Sequence, residues 1–166
     1  MHISKTLCTF ATSNIKRNNM TSYEKSNSIL EVALKRFSSS YSHDFLSSDT
    51  SIKDREKNAQ KLVDYLCDKF KIPHCYVIIS NKRQNHVTRN GKLIKKVYGR
   101  YMINLNTIEI FNLTAMTKKL VAIKTMYDTL LHEFMHHYDY TKLKLSESLH
   151  TKGFAMRISD LKKKLN

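Results

Sequence analysis

Apolar residues return every three or four positions in three long stretches of this 166-residue chain. Over 52–70 they are Ile52, Ala59, Leu62, Val63, Leu66, Cys67 and Phe70, the stripe of a helix with one face on a core. Ser51 stands where its N-cap belongs. Pro73 closes the region, because the residue before a proline is pushed out of the α basin. Leu120, Ile123, Tyr127, Leu130, Leu131, Phe134 and Tyr138 predict a longer helix from about Lys118 to Tyr140, with Thr117 as its cap. Phe154, Ile158, Leu161 and Leu165 predict a last helix over about 151–165, and Lys162, Lys163 and Lys164 suit its C-terminal end. Ile29, Leu30, Ala33, Leu34 and Phe37 predict a short helix, followed by a Ser-rich loop over 38–50.

Between the helices the period changes. Cys75 to Ile79 and Tyr101 to Leu105 are β-rich, and Asn90-Gly91 is a hairpin turn signal with Lys92 to Tyr98 alternating loosely after it. The expected fold is therefore α+β, a small three-stranded antiparallel sheet packed against the long helix. Residues 1–50 are expected to be a poorly ordered basic segment with a short helix, and 51–166 one domain. The length and the 41% hydrophobic content suit a single core.

Charge adds a partner to this picture. Lys and Arg number 29 against 14 Asp and Glu, a formal net charge of +15. Residues 81–100 hold Lys82, Arg83, Arg89, Lys92, Lys95, Lys96 and Arg100 and no acid, so the expected hairpin is a positive element able to follow phosphates. A solubilising surface is the alternative reading, and no RNP-type motif or zinc finger accompanies the cluster. The first 23 residues carry Lys5, Lys16 and Arg17 without an acid, as a loose basic tail or an organelle-targeting peptide would. Cys8, Cys67 and Cys75 form no CxxC pair, which favours a reducing compartment over a disulfide framework. No apolar run is long enough to span a bilayer. The expectation is an intracellular monomer, in the cytoplasm or with the nucleoid or nucleus, with organelle targeting by the N-terminal segment left open.

Chemistry enters through His132-Glu133-Phe134-Met135-His136, an H-E-x-x-H pattern inside the strongest helix. Two imidazoles four residues apart share a helix face and can hold one zinc ion, with the Glu beside a water. Catalytic zinc takes three protein ligands, so a third is needed. His137 is rotated about 100° from His136 and points away. Asp139 suits a supporting acceptor. Glu147 and His150 both follow a turn that can bring the chain back, and His150, just before the last helix, is the favoured ligand. Glu133 is then the general base, taking a proton from the water that attacks a carbonyl and returning it to the departing amine. Tyr101, Tyr138 and Tyr140 are candidates to meet the developing oxyanion. A purely structural metal would need a fourth protein ligand and would leave Glu133 without a task.

Leu130-Leu131-His132-Glu133-Phe134-Met135-His136 together with His150-Thr151-Lys152-Gly153-Phe154 resembles the SprT-like zinc metallopeptidases, the family of the Spartan proteases. The family pattern is H-G-x-x-F; here Thr151 takes the glycine's place and Gly153 precedes the phenylalanine. The likeness covers about residues 52–166. It implies a zincin-like minimal protease core, zinc on His132, His136 and His150, Glu133 as the catalytic carboxylate, and residues 99–106 as the strand edging the substrate cleft. It also implies action on proteins bound or crosslinked to DNA, with the basic hairpin facing the DNA. The other functions in view are a zinc peptidase of non-DNA substrates and an inactive basic nucleic-acid-binding module.

Overall fold

The computed structural model describes residues 20–34 and 40–165. The elements run α1 (Ser22–Ser28), α2 (Ser40–Leu46), α3 (Ile52–Phe70), β1 (Tyr76–Arg83), β2 (Asn85–Arg89), β3 (Lys92–Val97), β4 (Gly99–Met102), a 3-10 turn at Ile103–Leu105, β5 (Thr107–Leu113), α4 (Ile123–Thr141) and α5 (Lys152–Leu165). The class is mixed α+β, with a three-stranded sheet and longer helices.

The helices predicted from the apolar stripes form α3, α4 and α5. Ser51 caps α3, its hydroxyl accepting the Asp54 N–H at 3.2 Å, and Lys71 ends it in the left-handed region at φ 54°. For α4 the start moves to Ile123, with Ala122 at the cap and no side-chain bond, so Thr117 is not its cap. Leu120 lies before the helix, bridged to Leu113 and largely exposed. The core joins Leu62, Val63, Leu66 and Phe70 of α3 to Val77, Ile79, Ile108 and Ile110 of the sheet. Leu130, Leu131, Phe134 and Tyr138 of α4 complete it, with Phe154 and Leu161 of α5.

The sheet departs from the expectation. Its order is β1-β5-β4, with β1 parallel and β4 antiparallel to β5, so it is mixed and not wholly antiparallel. The central strand, β5, was not anticipated. Residues 107–112 are all buried, and a strand covered on both faces shows no alternation to read. The hairpin forms a sheet of its own, β2 against β3, turned by Asn90 at φ 49° and Gly91 at φ 72°. Positive φ at both central residues matches the twist of a two-residue hairpin, and asparagine and glycine tolerate it. Nearly every hairpin side chain is half or fully exposed, so the element stands out from the core. The edge N–H groups of β1 at Val77 and Ile79 are bound by Gln60 and Glu56 of α3, which blunts that edge against stray pairing.

The segment before α3 also differs. Residues 20–34 and 40–50, expected to be poorly ordered, carry α1 and α2, and Ser26, Val32 and Phe45 are buried. Residues 29–34 are not helical, and Phe37 lies outside the described residues, as do residues 1–19 with the tail-or-leader reading. Helix α1 has a capping box: Thr21 accepts the Glu24 N–H while Glu24 accepts the Thr21 N–H. It docks on α5, where a Cβ at Gly153 would overlap the Ser26 carbonyl oxygen; glycine is required there by contact alone. No helix among the described residues is long and apolar enough to cross a membrane.

Candidate metal centre

Helix geometry puts His132 and His136 one turn apart on α4, and the irregular stretch after Thr141 returns His150 to them. His150 Nε2 lies 3.1 Å from His132 Nε2 and 3.0 Å from His136 Nε2. The ring of Phe154 packs against all three imidazoles, with centroids 5.1, 4.7 and 5.2 Å from His132, His136 and His150. Burial holds His132 down at about 4 and His136 at about 3, with the neighbouring rings adding to it. Neutral rings with converging nitrogens have more lone pairs than protons to share, and a cation satisfies them together. The donor set therefore fits a borderline metal such as zinc.

Further contacts fix the ring of His136. Its Nδ1 lies 2.8 Å from Ser148 Oγ, and Ser148 donates to Asp139 Oδ2 at 3.1 Å. With the hydroxyl proton directed to the carboxylate, Nδ1–H is the donor to Ser148, which leaves the lone pair on Nε2. Asp139 is in turn paired with Arg157 at 2.8 Å, both side chains wholly buried. Burial pushes the Asp139 carboxyl up, and the guanidinium opposes that shift. Arg157 also donates to the carbonyls of Ser26 at 2.7 Å and Ile29 at 2.6 Å, and to Ser26 Oγ at 3.0 Å. The N-terminal segment thus reaches His136 through three side chains, Arg157, Asp139 and Ser148. Thr151 accepts the Phe154 N–H at 3.1 Å, capping α5, and pairs with Ser26 Oγ at 2.8 Å.

Glu133 sits on the sheet side of the histidines, 8% exposed. Burial lifts its carboxyl from 4.5 to about 7, against a hydrogen bond from the Tyr101 N–H. Gly99 admits it: a Cβ there would meet the Glu109 carbonyl at 2.8 Å, Thr129 at 2.9 Å and the Glu133 chain at 3.4 Å. A cavity of about 520 Å³ runs between the β3–β4 stretch and α4, lined by Lys95, Lys96, Tyr98, His132, Glu133 and His150 among others.

Other expected residues fall elsewhere. Glu147 is exposed and outside the histidine group. His137 faces the other way, its Nε2 bonded to the Pro73 carbonyl at 2.7 Å and its Nδ1 near Tyr101 Oη at 3.0 Å. Tyr101 is therefore engaged behind the helix, and burial raises its phenol to about 12. Tyr138 accepts the Ala33 N–H at 3.0 Å, and Tyr140 stacks near Tyr101 with centroids 6.2 Å apart. The tyrosine on the cleft wall is Tyr98, which was not among the expected candidates. Of the basic cluster, Lys82, Arg83, Arg89, Lys92 and Lys95 are exposed and Lys96 lies over the Tyr98 ring at 4.5 Å. Arg100 is committed to Glu109 at 2.7 Å and does not belong to the hairpin's free charge.

A second group lies behind α4. Cys67, Cys75 and His137 are all buried, with donor atoms within 4.8 Å of one another. The hydrogen bond between the two thiols draws Cys67 down against burial, with His137 helping, and pushes Cys75 up. No local spacing signals that Cys67 and Cys75 meet His137, because the three stand on separate stretches of chain.

No protein-family model, curated protein or solved structure matches this chain.

Proposed function

We propose that this chain is a zinc-dependent endopeptidase of the SprT-like kind. One observation carries the reading: His150 Nε2 lies 3.0–3.1 Å from the Nε2 atoms of both His132 and His136, beside a buried glutamate on the wall of a cleft of about 520 Å³. His132, His136 and His150 would hold the ion. Bound there, zinc supplies Lewis acidity that polarises a scissile carbonyl and lowers the pKa of water. Glu133 takes the proton of the attacking water on its carboxylate and returns it to the departing amide nitrogen. A carboxyl near 7 can do both at neutral pH. Gly99 lets the strand approach Glu133 closely, and the Tyr101 N–H on that strand orients the carboxylate.

The test uses purified full-length protein, zinc and an unfolded protein substrate. Cleavage is expected with zinc, lost on chelation, and absent in His150→Ala, which should also lose the histidine-site metal. Zinc-loaded protein that cleaves no unfolded substrate, with or without DNA, overturns the reading.

Proteins on DNA are the substrates favoured by the hairpin, which carries cations to the rim of the cleft through Lys95 and Lys96. The expected result is salt-sensitive DNA binding. If Arg89 and Lys92 each neutralise one phosphate, the Arg89→Ala/Lys92→Ala variant flattens the slope of log K against log salt by about 1.8. Equal cleavage across salt with no DNA binding would instead mark a peptidase of other substrates.

A further inference from the structure

We propose that Cys67, Cys75 and His137 form a second zinc site, behind α4 and separate from the histidine centre. Cys67 is in the last turn of α3, Cys75 stands just before β1, and His137 is on α4. An ion there would tie together three elements whose packing supports the sheet.

Three features argue for an ion over an ordinary buried cysteine pair. The donor atoms converge within 4.8 Å, the spacing of ligands around one metal. The His137 ring is fixed from outside: Nε2 faces the Pro73 carbonyl at 2.7 Å, so it carries the proton, and Nδ1 keeps the lone pair. A ligating histidine usually donates its other N–H to such an acceptor. Tyr101, whose hydroxyl lies 3.0 Å from Nδ1, has a second acceptor in Asn106 Oδ1 at 3.2 Å, so an ion can take the lone pair without stranding the phenol.

The donor types choose the metal. Two sulfurs and one imidazole, with no oxygen, exclude calcium and magnesium and suit zinc or copper(I). Two thiolates and a neutral imidazole balance the charge of Zn²⁺, whereas copper(I) would leave a net negative complex in an apolar core. On binding, each thiol gives its proton to solvent and each sulfur forms a bond to the ion. Cys75 also lines a cavity of about 350 Å³ with Gln60, Asp64, His74 and Tyr76. That cavity provides the way in and a source of water for the fourth position.

Cobalt(II) titration of the reduced, metal-free full chain reads this site alone, because thiolate ligands give a near-ultraviolet charge-transfer band and imidazoles do not. The wild type is expected to bind two cobalt ions per chain, with the thiolate band, and zinc is expected to displace both. Cys67→Ser and Cys75→Ser should each remove the band while one ion remains. Cys8→Ser should keep it. The His132→Ala/His136→Ala variant should keep the band with one ion, which makes the outcome independent of the peptidase reading. Fully reduced wild type without a thiolate band overturns the proposal, as does a band that survives Cys75→Ser. If the pair instead oxidises to a disulfide in air and the reduced form shows no band, the two cysteines are a redox couple and the metal site is refuted.

Discussion

Glu133→Gln is expected to cut the proposed hydrolysis sharply while the histidine centre keeps its capacity for zinc. Glutamine keeps the shape and can accept the Tyr101 N–H as the carboxylate does, but it cannot take a proton from water. General acid–base groups contribute about 10²–10⁴-fold, and a fall of that size in kcat/KM is expected. Zinc stoichiometry, measured alongside, should be unchanged. Cleavage near the wild-type rate removes Glu133 from the mechanism.

The same variant has a stability signature in the chelated protein. Burial raises the folded-state carboxyl from 4.5 to about 7, so the unfolded chain ionises it more readily than the folded one. A raised carboxyl destabilises the fold above its folded value and has no effect below its unfolded value. The metal-free Gln variant should therefore be more stable than the wild type above about pH 7. At about 1.4 kcal/mol per unit, the gain is on the order of 3 kcal/mol. It should shrink through the interval and vanish below pH 4.5. Denaturant midpoints at pH 4 and pH 8 check it: equal differences at both values contradict burial as the cause.

Arg157→Ala is expected to have the largest effect on folding. It removes one partner of a wholly buried pair and leaves Asp139 uncompensated, a loss of about 3–5 kcal/mol. That is a large share of the roughly 5–15 kcal/mol that holds a domain of this kind. The Ser26 and Ile29 carbonyls lose their donor as well, so α1 should loosen from α5. Zinc affinity should fall about 10–100-fold, the usual cost of losing a residue that orients a ligand, because Asp139 no longer holds Ser148 against His136. Urea unfolding and zinc competition measure the two effects. The Arg157→Met/Asp139→Asn variant should recover part of the stability, since no charge is then buried alone. An unchanged midpoint in Arg157→Ala would show that the pair is not sustaining the segment.

Local pattern accounts for what was legible. α3, α4 and α5 each lay one face on the core, and a 3.6-residue period records that directly. Asn90-Gly91 encodes its turn through the φ values it tolerates. β5 was missed because burial on both faces erases alternation. α1 has no apolar stripe, yet Thr21-Ser22-Tyr23-Glu24 spells its capping box and could have revealed it. Arg157 gave no sign, since an arginine among polar helix positions reads as exposed until a carboxylate and three oxygens of Ser26 and Ile29 are placed around it.

By itself, the sequence determined that His132 and His136 share a helix face with Glu133 beside them and that His137 turns away, because a helix ties spacing to direction. Only the tertiary structure decided that His150 and not Glu147 completes the group, that Asp139 and Arg157 join α1 to it, and that Cys67 and Cys75 meet His137. These contacts close between elements far apart in the chain, and their geometry depends on how the whole core packs, which no local period carries.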